Sequence, residues 1–381
     1  MELRPLPYQT AIAAVLEAEH PQAFAALRPA AGGGGEVHDA LLRHAYRLDP
    51  AGHPDAHDAV ARAAAALGVT VPVDVFAFEG EAGNNAELIF VPERPVIAFS
   101  GDTLNLLDAE ELCAVAGHEL AHYVLWTTDG GRHLAASRLL DAAEGDARTD
   151  AEYLETARRL RLAIELFADR GALIACGSLP TTLRSLLKLT TGLAQVDPDG
   201  YLRQAAEVDL SAPSAGTSHP ETVIRAWALQ SWEREGPAAE PRIARAISAQ
   251  LDLNALDLLD QDRLRTLTQA LVGLVVADEP MRTEDVLEHA ERFGVVAGAP
   301  PAPGFDPDGL AAETKRYLAA VLLDFATVDP DLGNESLARM IALARRCGLG
   351  TDLDKLMGAE LELSDRARAK LLARVGELAD A

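Results

Sequence analysis

The sequence predicts an α+β protein, predominantly α-helical, with a small sheet of three or more strands in its first third and an all-α C-terminal region. Apolar residues recur at helical spacing from Ala11 to Leu67 and through nearly everything after Ser100. Between these tracts, three short β-branched or aromatic runs separated by Gly, Asn and Pro crowd into residues 71–99. The chain has 381 residues, 49% of them hydrophobic, which is long for one core and apolar enough to fill two or three.

Taken in order, residues 1–70 read as a helical lead-in. The run Gly32 to Gly35 interrupts it as a flexible loop. The strand candidates are V-P-V-D-V-F-A-F (Val71 to Phe78), L-I-F-V (Leu88 to Val91) and V-I-A-F (Val96 to Phe99). D-A-E-E from Asp108 opens a helix: Asp108 can cap it, Glu111 sits at the third helical position, and Leu112, Val115, Ala116 and Ala121 supply an inward face. Glu233 to Pro241 is a polar, proline-containing break, expected to divide a body over 71–235 from a helical accessory region over 242–381. That region carries a weak internal repeat, 269–295 echoed by 318–349: an apolar helix, an acidic turn with proline, and a second helix ending in glycine. Gly298 to Gly304 reads as the linker between the copies. Asp-Pro-Asp at Asp197, Asp306 and Asp329 lacks the ligand register of a calcium loop and reads as helix caps with proline at the first helical position.

Composition excludes several function classes. Acidic residues outnumber basic ones 59 to 34, and the net charge of −25 opposes binding to nucleic acid or anionic lipid. Cys113, Cys176 and Cys347 lie far apart and read as core thiols of a reducing compartment. No basic stretch followed by a long apolar run opens the chain, and nowhere do about 18 uncharged apolar residues follow one another, so no membrane span and a cytoplasmic location are expected.

The stretch A-G-H-E-L-A-H-Y, Ala116 to Tyr123, carries the chemistry. Positions four apart share a helix face, so His118 and His122 can offer imidazole nitrogens to one zinc ion. Glu119 sits at the edge of that face, within reach of a water on the metal. Five residues alone leave two readings open, a zinc site or a coincidence in an alanine-rich helix. Two buried, unliganded histidines would be costly, which favours the metal. A third ligand is then needed, and L-R-L-A-I-E-L-F-A-D-R-G-A-L, Leu160 to Leu173, offers Glu165 among Leu162, Ile164, Leu166 and Phe167. Asp169 follows one turn later, placed to accept the spare ring N–H of a liganding histidine. The competing reading pairs Glu165 with Arg161 as a surface ion pair. Among the other histidines, His133 reads as solvent-facing on a loop, and His38, His44, His53 and His57 are scattered over the N-terminal helices.

H-E-L-A-H followed by E-L-F-A-D-R resembles the gluzincin metallopeptidases of the CAAX prenyl endopeptidase and HtpX type. Asn84 to Glu119 and T-S-H-P-E-T-V-I-R, Thr217 to Arg225, are similar to further elements of that family, so the resemblance spans roughly residues 70–230. The aromatic that commonly follows the family's Asn-Ala is replaced here by Glu87. The resemblance implies a zincin-like core and a zinc endopeptidase with one Zn²⁺ per chain on His118, His122 and Glu165, with Glu119 as general base. It also implies that His219 stabilises the oxyanion, with Arg225 orienting it or bracing its loop; a plain helix-cap contact before Pro220 is the other reading of His219. An edge strand at Val96, Ile97, Ala98 and Phe99 would bind a peptide or protein substrate by adding it to the sheet. The alternative is a regulatory protein that keeps a zinc-binding module and docks a protein partner through its C-terminal helices.

Overall fold

Helices make up most of the computed structural model, which describes residues 3–30, 32, 34–78, 83–209, 213–248, 250–296, 305, 309–361 and 365–379. The chain divides into two compact units, Met1–Ala249 and Gln250–Ala381.

Unit 1 begins with α1 (Pro7–Glu19), α2 (Pro21–Leu27), α3 (Gly34–His44), β1 (Tyr46–Arg47) and α4 (Pro54–Leu67), followed by β2 (Asp74–Ala77), β3 (Asn85–Ile89) and β4 (Val96–Ser100). It continues through α5 (Thr103–Leu106), α6 (Ala109–Thr127), α7 (Arg132–Glu144), α8 (Ala151–Cys176), α9 (Leu179–Thr191), α10 (Pro198–Ala205), α11 (Thr222–Glu235) and α12 (Glu240–Ser248).

The four strands form one mixed sheet in the order β1-β2-β4-β3, with β2 parallel to β4 and the outer pairs antiparallel. β4 is therefore an inner strand, and the expectation that Val96 to Phe99 form an edge is corrected. Ile97 and Phe99 pack with α4 and α6 in one core, while Val96 and Ala98 join Phe76 and Leu41 in a second. A strand covered on both faces reads as an unbroken apolar run, and V-I-A-F is such a run. The edges are the two-residue β1, exposed at both positions, and β3, where Asn85 and Glu87 alternate with buried Ala86.

Asp108 caps α6 by accepting from the Glu110 and Glu111 N–H groups, and the Glu111 carboxylate returns to the Asp108 N–H at 3.0 Å. Glu111 is 1% exposed and also binds Lys188 at 2.7 Å and Arg184 at 3.2 Å on α9, so one carboxylate joins two helices. Beyond the cap, α6 is buried on nearly every side from Leu112 to Tyr123, as is α8 from Leu160 to Leu173. The two helices cross in close contact at glycines. A Cβ on Gly117 would strike the Ala175 Cβ and stand 3.0 Å from the Gly171 carbonyl oxygen; one on Gly171 would strike the Ala121 Cβ and stand 2.9 Å from the Gly117 carbonyl.

Several local expectations change. α3 starts inside the glycine run, taking Gly34 and Gly35 into its first turn. His133 is not on a solvent-facing loop: it lies in the first turn of α7 and is 4% exposed. Glu233 to Pro241 holds the end of α11, a 3-10 turn at Gly236–Ala239 and the start of α12, and it lies within unit 1, where Arg170 of α8 grips Glu240 with both terminal nitrogens and the Ser214 N–H donates to the Ala246 carbonyl. Asp197 and Asp329 do precede helical turns with proline at the first position. The third copy, at Asp306, and the linker Gly298 to Gly304 lie outside the described residues.

Unit 2 contains α13 (Leu258–Ala277), α14 (Glu284–Arg292), α15 (Ala312–Thr327), α16 (Asn334–Arg346), α17 (Gly350–Glu360) and α18 (Asp365–Ala379). Each half of the sequence echo folds as helix, 3-10 turn and helix, and both contribute to one core that includes Leu271, Val275, Leu322 and Phe325. No helix among the described residues is long and apolar enough to cross a membrane.

Replacing a mid-helix glycine by alanine ordinarily stabilises by about 0.5–1 kcal/mol. At Gly117 or Gly171 the clash is with backbone and a rigid Cβ, so Gly117→Ala and Gly171→Ala are each expected to cost about 1–3 kcal/mol in urea unfolding. A gain in stability would show that the helices have room to spare. Glu111→Ala should cost about 3 kcal/mol by the same measurement, since it unpairs a mostly buried lysine and removes the capping box.

Candidate metal centre

α6 and α8 bring the sequence candidates together. The donor atoms of His118, His122 and Glu165 all lie within 4.8 Å of one another. His118 Nε2 stands 3.5 Å from Glu165 Oε2, and His122 Nε2 stands 3.8 Å from Glu165 Oε1. Ligand atoms on a tetrahedral zinc ion are roughly 3.4 Å apart for bonds of about 2.0–2.1 Å. The two imidazoles share one face of α6, their ring centres 5.1 Å apart and their planes nearly perpendicular.

Asp169 lies one turn beyond Glu165 and approaches His118 Nδ1 at 3.1 Å, which leaves Nε2 facing Glu165. Arg225, from the first turn of α11, donates to both Asp169 oxygens at 2.8 and 2.6 Å and stands 3.8 Å from Glu165. Among the described contacts its partners are these two carboxylates rather than His219. The competing pairing of Glu165 with Arg161 is absent too: Arg161 grips Glu144 at 2.6 and 2.8 Å. His219 does reach the cluster, its Nε2 3.4 Å from Glu165 Oε2, yet its side chain is 57% exposed.

Burial and charge oppose each other in this group. Burial disfavours a charge on His118, but its hydrogen bonds to Asp169 and Glu165 outweigh that and hold its pKa well above the usual imidazole range. Burial takes His122 the other way, down to about 4. Burial alone would raise Glu165, and the hydrogen bond and charge of His118 carry it down instead. Asp169 is likewise held low against its burial by Arg225. Glu119 has no such cation in hydrogen-bond contact among its described partners. Burial pushes its carboxyl up to about 7, and the Leu88 N–H of β3 donates to it.

The donor set fits a divalent metal ion. Glu165 Oε2 is buried and makes only long contacts, 3.5 Å to His118 Nε2 and 3.4 Å to His219 Nε2, an arrangement that buried carboxylates rarely tolerate without a cation or ligand. Two neutral-capable imidazoles and a carboxylate ionised at neutral pH are zinc donors, and three of them leave a fourth position open.

The cluster opens into a cleft of about 680 Å³, whose walls come from β3 (Asn85 to Leu88), α6, α8, α9 and the Ser218–Pro220 segment. Val96 to Phe99 do not line it. Trp126, which the sequence analysis passed over, does, with its ring 5.6 Å from His122. It lies four residues after His122, on the same helix stripe as the two histidines, and that spacing is the signal that could have found it. Ser137 and Asp141 of α7 and Thr182 and Ser185 of α9 also line the cleft and carry no sequence motif.

Comparison with known proteins agrees with a metallopeptidase and goes no further. No protein-family model matches the chain, and no solved structure matches it. Over 200 residues the chain is 30% identical to the plastoglobule-localized metallopeptidase 48 of the chloroplast of Arabidopsis thaliana, covering 47% of this chain and 57% of that protein. The chain thus spans little more than half the length of this curated relative.

Proposed function

We propose that this chain is a zinc-dependent endopeptidase, with His118, His122 and Glu165 holding the metal and Glu119 acting as general base. The observation that carries the reading is the convergence of two imidazoles and a carboxylate within 4.8 Å, with a second carboxylate, Glu119, buried beside them and left without a cation in hydrogen-bond contact among the described residues. The similarity to a protein named as a metallopeptidase supports it independently.

When bound, zinc supplies Lewis acidity that brings the pKa of water towards neutrality and polarises a carbonyl. The chain's own groups do the rest. Glu119 takes the proton of the attacking water and returns it to the leaving amine. Asp169 accepts from His118 Nδ1–H, so that Nε2 presents its lone pair, and Arg225 fixes Asp169 in turn. His219, on the open side of the cluster, donates to the oxyanion as it develops. β3, the edge strand that forms a wall of the cleft, offers backbone groups to which an extended peptide can pair.

Elemental analysis of the purified full chain is expected to find one zinc per molecule, and His122→Ala should lose it. Glu119→Gln should keep the metal and lower kcat on a peptide library by roughly 10²–10⁴-fold. A zinc-loaded chain whose slow turnover is the same in Glu119→Gln would sink the endopeptidase reading. Asp169→Asn is expected to weaken zinc about 10–100-fold in chelator competition, and an unchanged affinity would remove Asp169 from the site.

A further inference from the structure

His219 has little to hold it. Its ring is more than half exposed, its described side-chain neighbours are Ser218 at 2.9 Å and Glu165 at 3.4 Å, and it rides on an irregular segment before α11. An oxyanion donor must be held in place before the reaction, so something else must fix the backbone beneath it.

α8 supplies that fixation. Arg158, Arg161, Glu165 and Asp169 are spaced by three or four residues and so form one stripe along the helix. The C-terminal half of the stripe builds the metal cluster, and the N-terminal half grips the loop. Arg158 is locked by Glu155, which accepts from Nε and Nη2 at 2.7 Å each, and this aims Nη1 at the carbonyls of Ser214 (3.1 Å) and Gly216 (3.0 Å). Arg161, fastened to Glu144 by its terminal nitrogens, donates Nε–H to the Thr217 carbonyl at 3.2 Å. Three loop carbonyls, those of Ser214, Gly216 and Thr217, are thereby satisfied by charged donors, the stronger kind of hydrogen bond.

The loop is also closed on itself. Glu221 accepts from the Ser214 hydroxyl at 2.6 Å and the Ala215 N–H at 2.9 Å, and the Gly216 N–H donates to Ser214 Oγ at 3.2 Å. A Cβ on Gly216 would collide with the His219 carbonyl oxygen, so the turn can be this tight only with glycine. We propose that Arg158 and Arg161 are positioning residues, latching the Ser214–His219 loop to the helix that carries Glu165 so that His219 faces the metal cluster. One helix then sets both the metal and the oxyanion donor.

The kinetic consequence rests on the endopeptidase reading, whereas the latch itself does not, and the experiment separates them. Arg158→Met keeps the apolar stem and removes the donors, while Glu155 stays paired with Arg159 at 2.6 Å. In the full-length, zinc-loaded protein, this variant should exchange the Ala215 and Gly216 amide hydrogens at least about 10-fold faster, with the α8 amides and the zinc content unchanged. It should lower kcat about 10–100-fold with little change in KM, the scale expected of a misplaced catalytic group. In a His219→Ala background the same substitution should cost nothing further. Unaltered exchange in the loop overturns the latch, and an equal loss of kcat in both backgrounds overturns the link to His219. If no peptide is turned over by the unsubstituted protein, the endopeptidase reading fails, and loop exchange alone decides the latch.

Discussion

The structure of unit 1 hangs on the place where α6 and α8 touch, Gly117 against Gly171 with Ala121 and Ala175 alongside. Helices packed through larger side chains stand 8–10 Å apart. Here backbone meets side-chain methyl and carbonyl directly, and the side chains flanking the contact need little reach to meet. His118 follows Gly117 in the chain, and Glu165 and Asp169 lie within two turns before Gly171. The crossing thus sets the distance between imidazole and carboxylate that a shared metal ion requires. The sheet, the cap at Asp108 and the hold of α9 on Glu111 can all be seen as keeping α6 in the register this contact demands.

Around the crossing, charges of opposite sign are stacked in sequence: Arg225 on Asp169, Asp169 on His118, His118 on Glu165. Asp169 and Glu165 are buried and Arg225 and His118 mostly so, and each charge would be costly alone. Hydrogen bonds inside the chain offset part of that cost, but Glu165 Oε2 is left with only long contacts, 3.4 Å and more, among the described residues. A protein selected for stability alone would fill this volume with apolar groups. Keeping an under-satisfied polar cluster beside the crossing of two buried helices is what a functional centre requires.

Much of this was legible in the chain, and the rest was hidden for identifiable reasons. The start of α6 was readable because capping is local: Asp108 and Glu111 carry it within one turn. Glu165 stood out because a carboxylate among Leu162, Ile164, Leu166 and Phe167 demands a cation, and Asp169 because it repeats that oddity one turn on. Strand order was not readable. β4 was mistaken for an edge because an apolar run says only that a strand is covered, whereas the alternation around Glu87 was the real mark of the edge. His133 looked exposed because glycines precede it, but those glycines turn the chain straight into α7. The glycines of the helix crossing were invisible as well. A mid-helix glycine signals weakness to local reasoning, and only the partner helix reveals why it is there. Arg158 and Arg161 bind backbone carbonyls far along the chain, contacts that leave no trace in side-chain pattern.

Glu111 also shapes how this protein could diversify. α9 presents Thr182, Ser185, Leu186 and Leu189 to the cleft, and from the same thirteen-residue helix Arg184 and Lys188 hold the carboxylate that starts α6. A drift in the cleft wall therefore cannot be inherited independently of the helix that bears the histidines. Shifts in α9 that admit a new substrate would need matching changes at Glu111 or its partners, so lineages should change this wall in correlated steps.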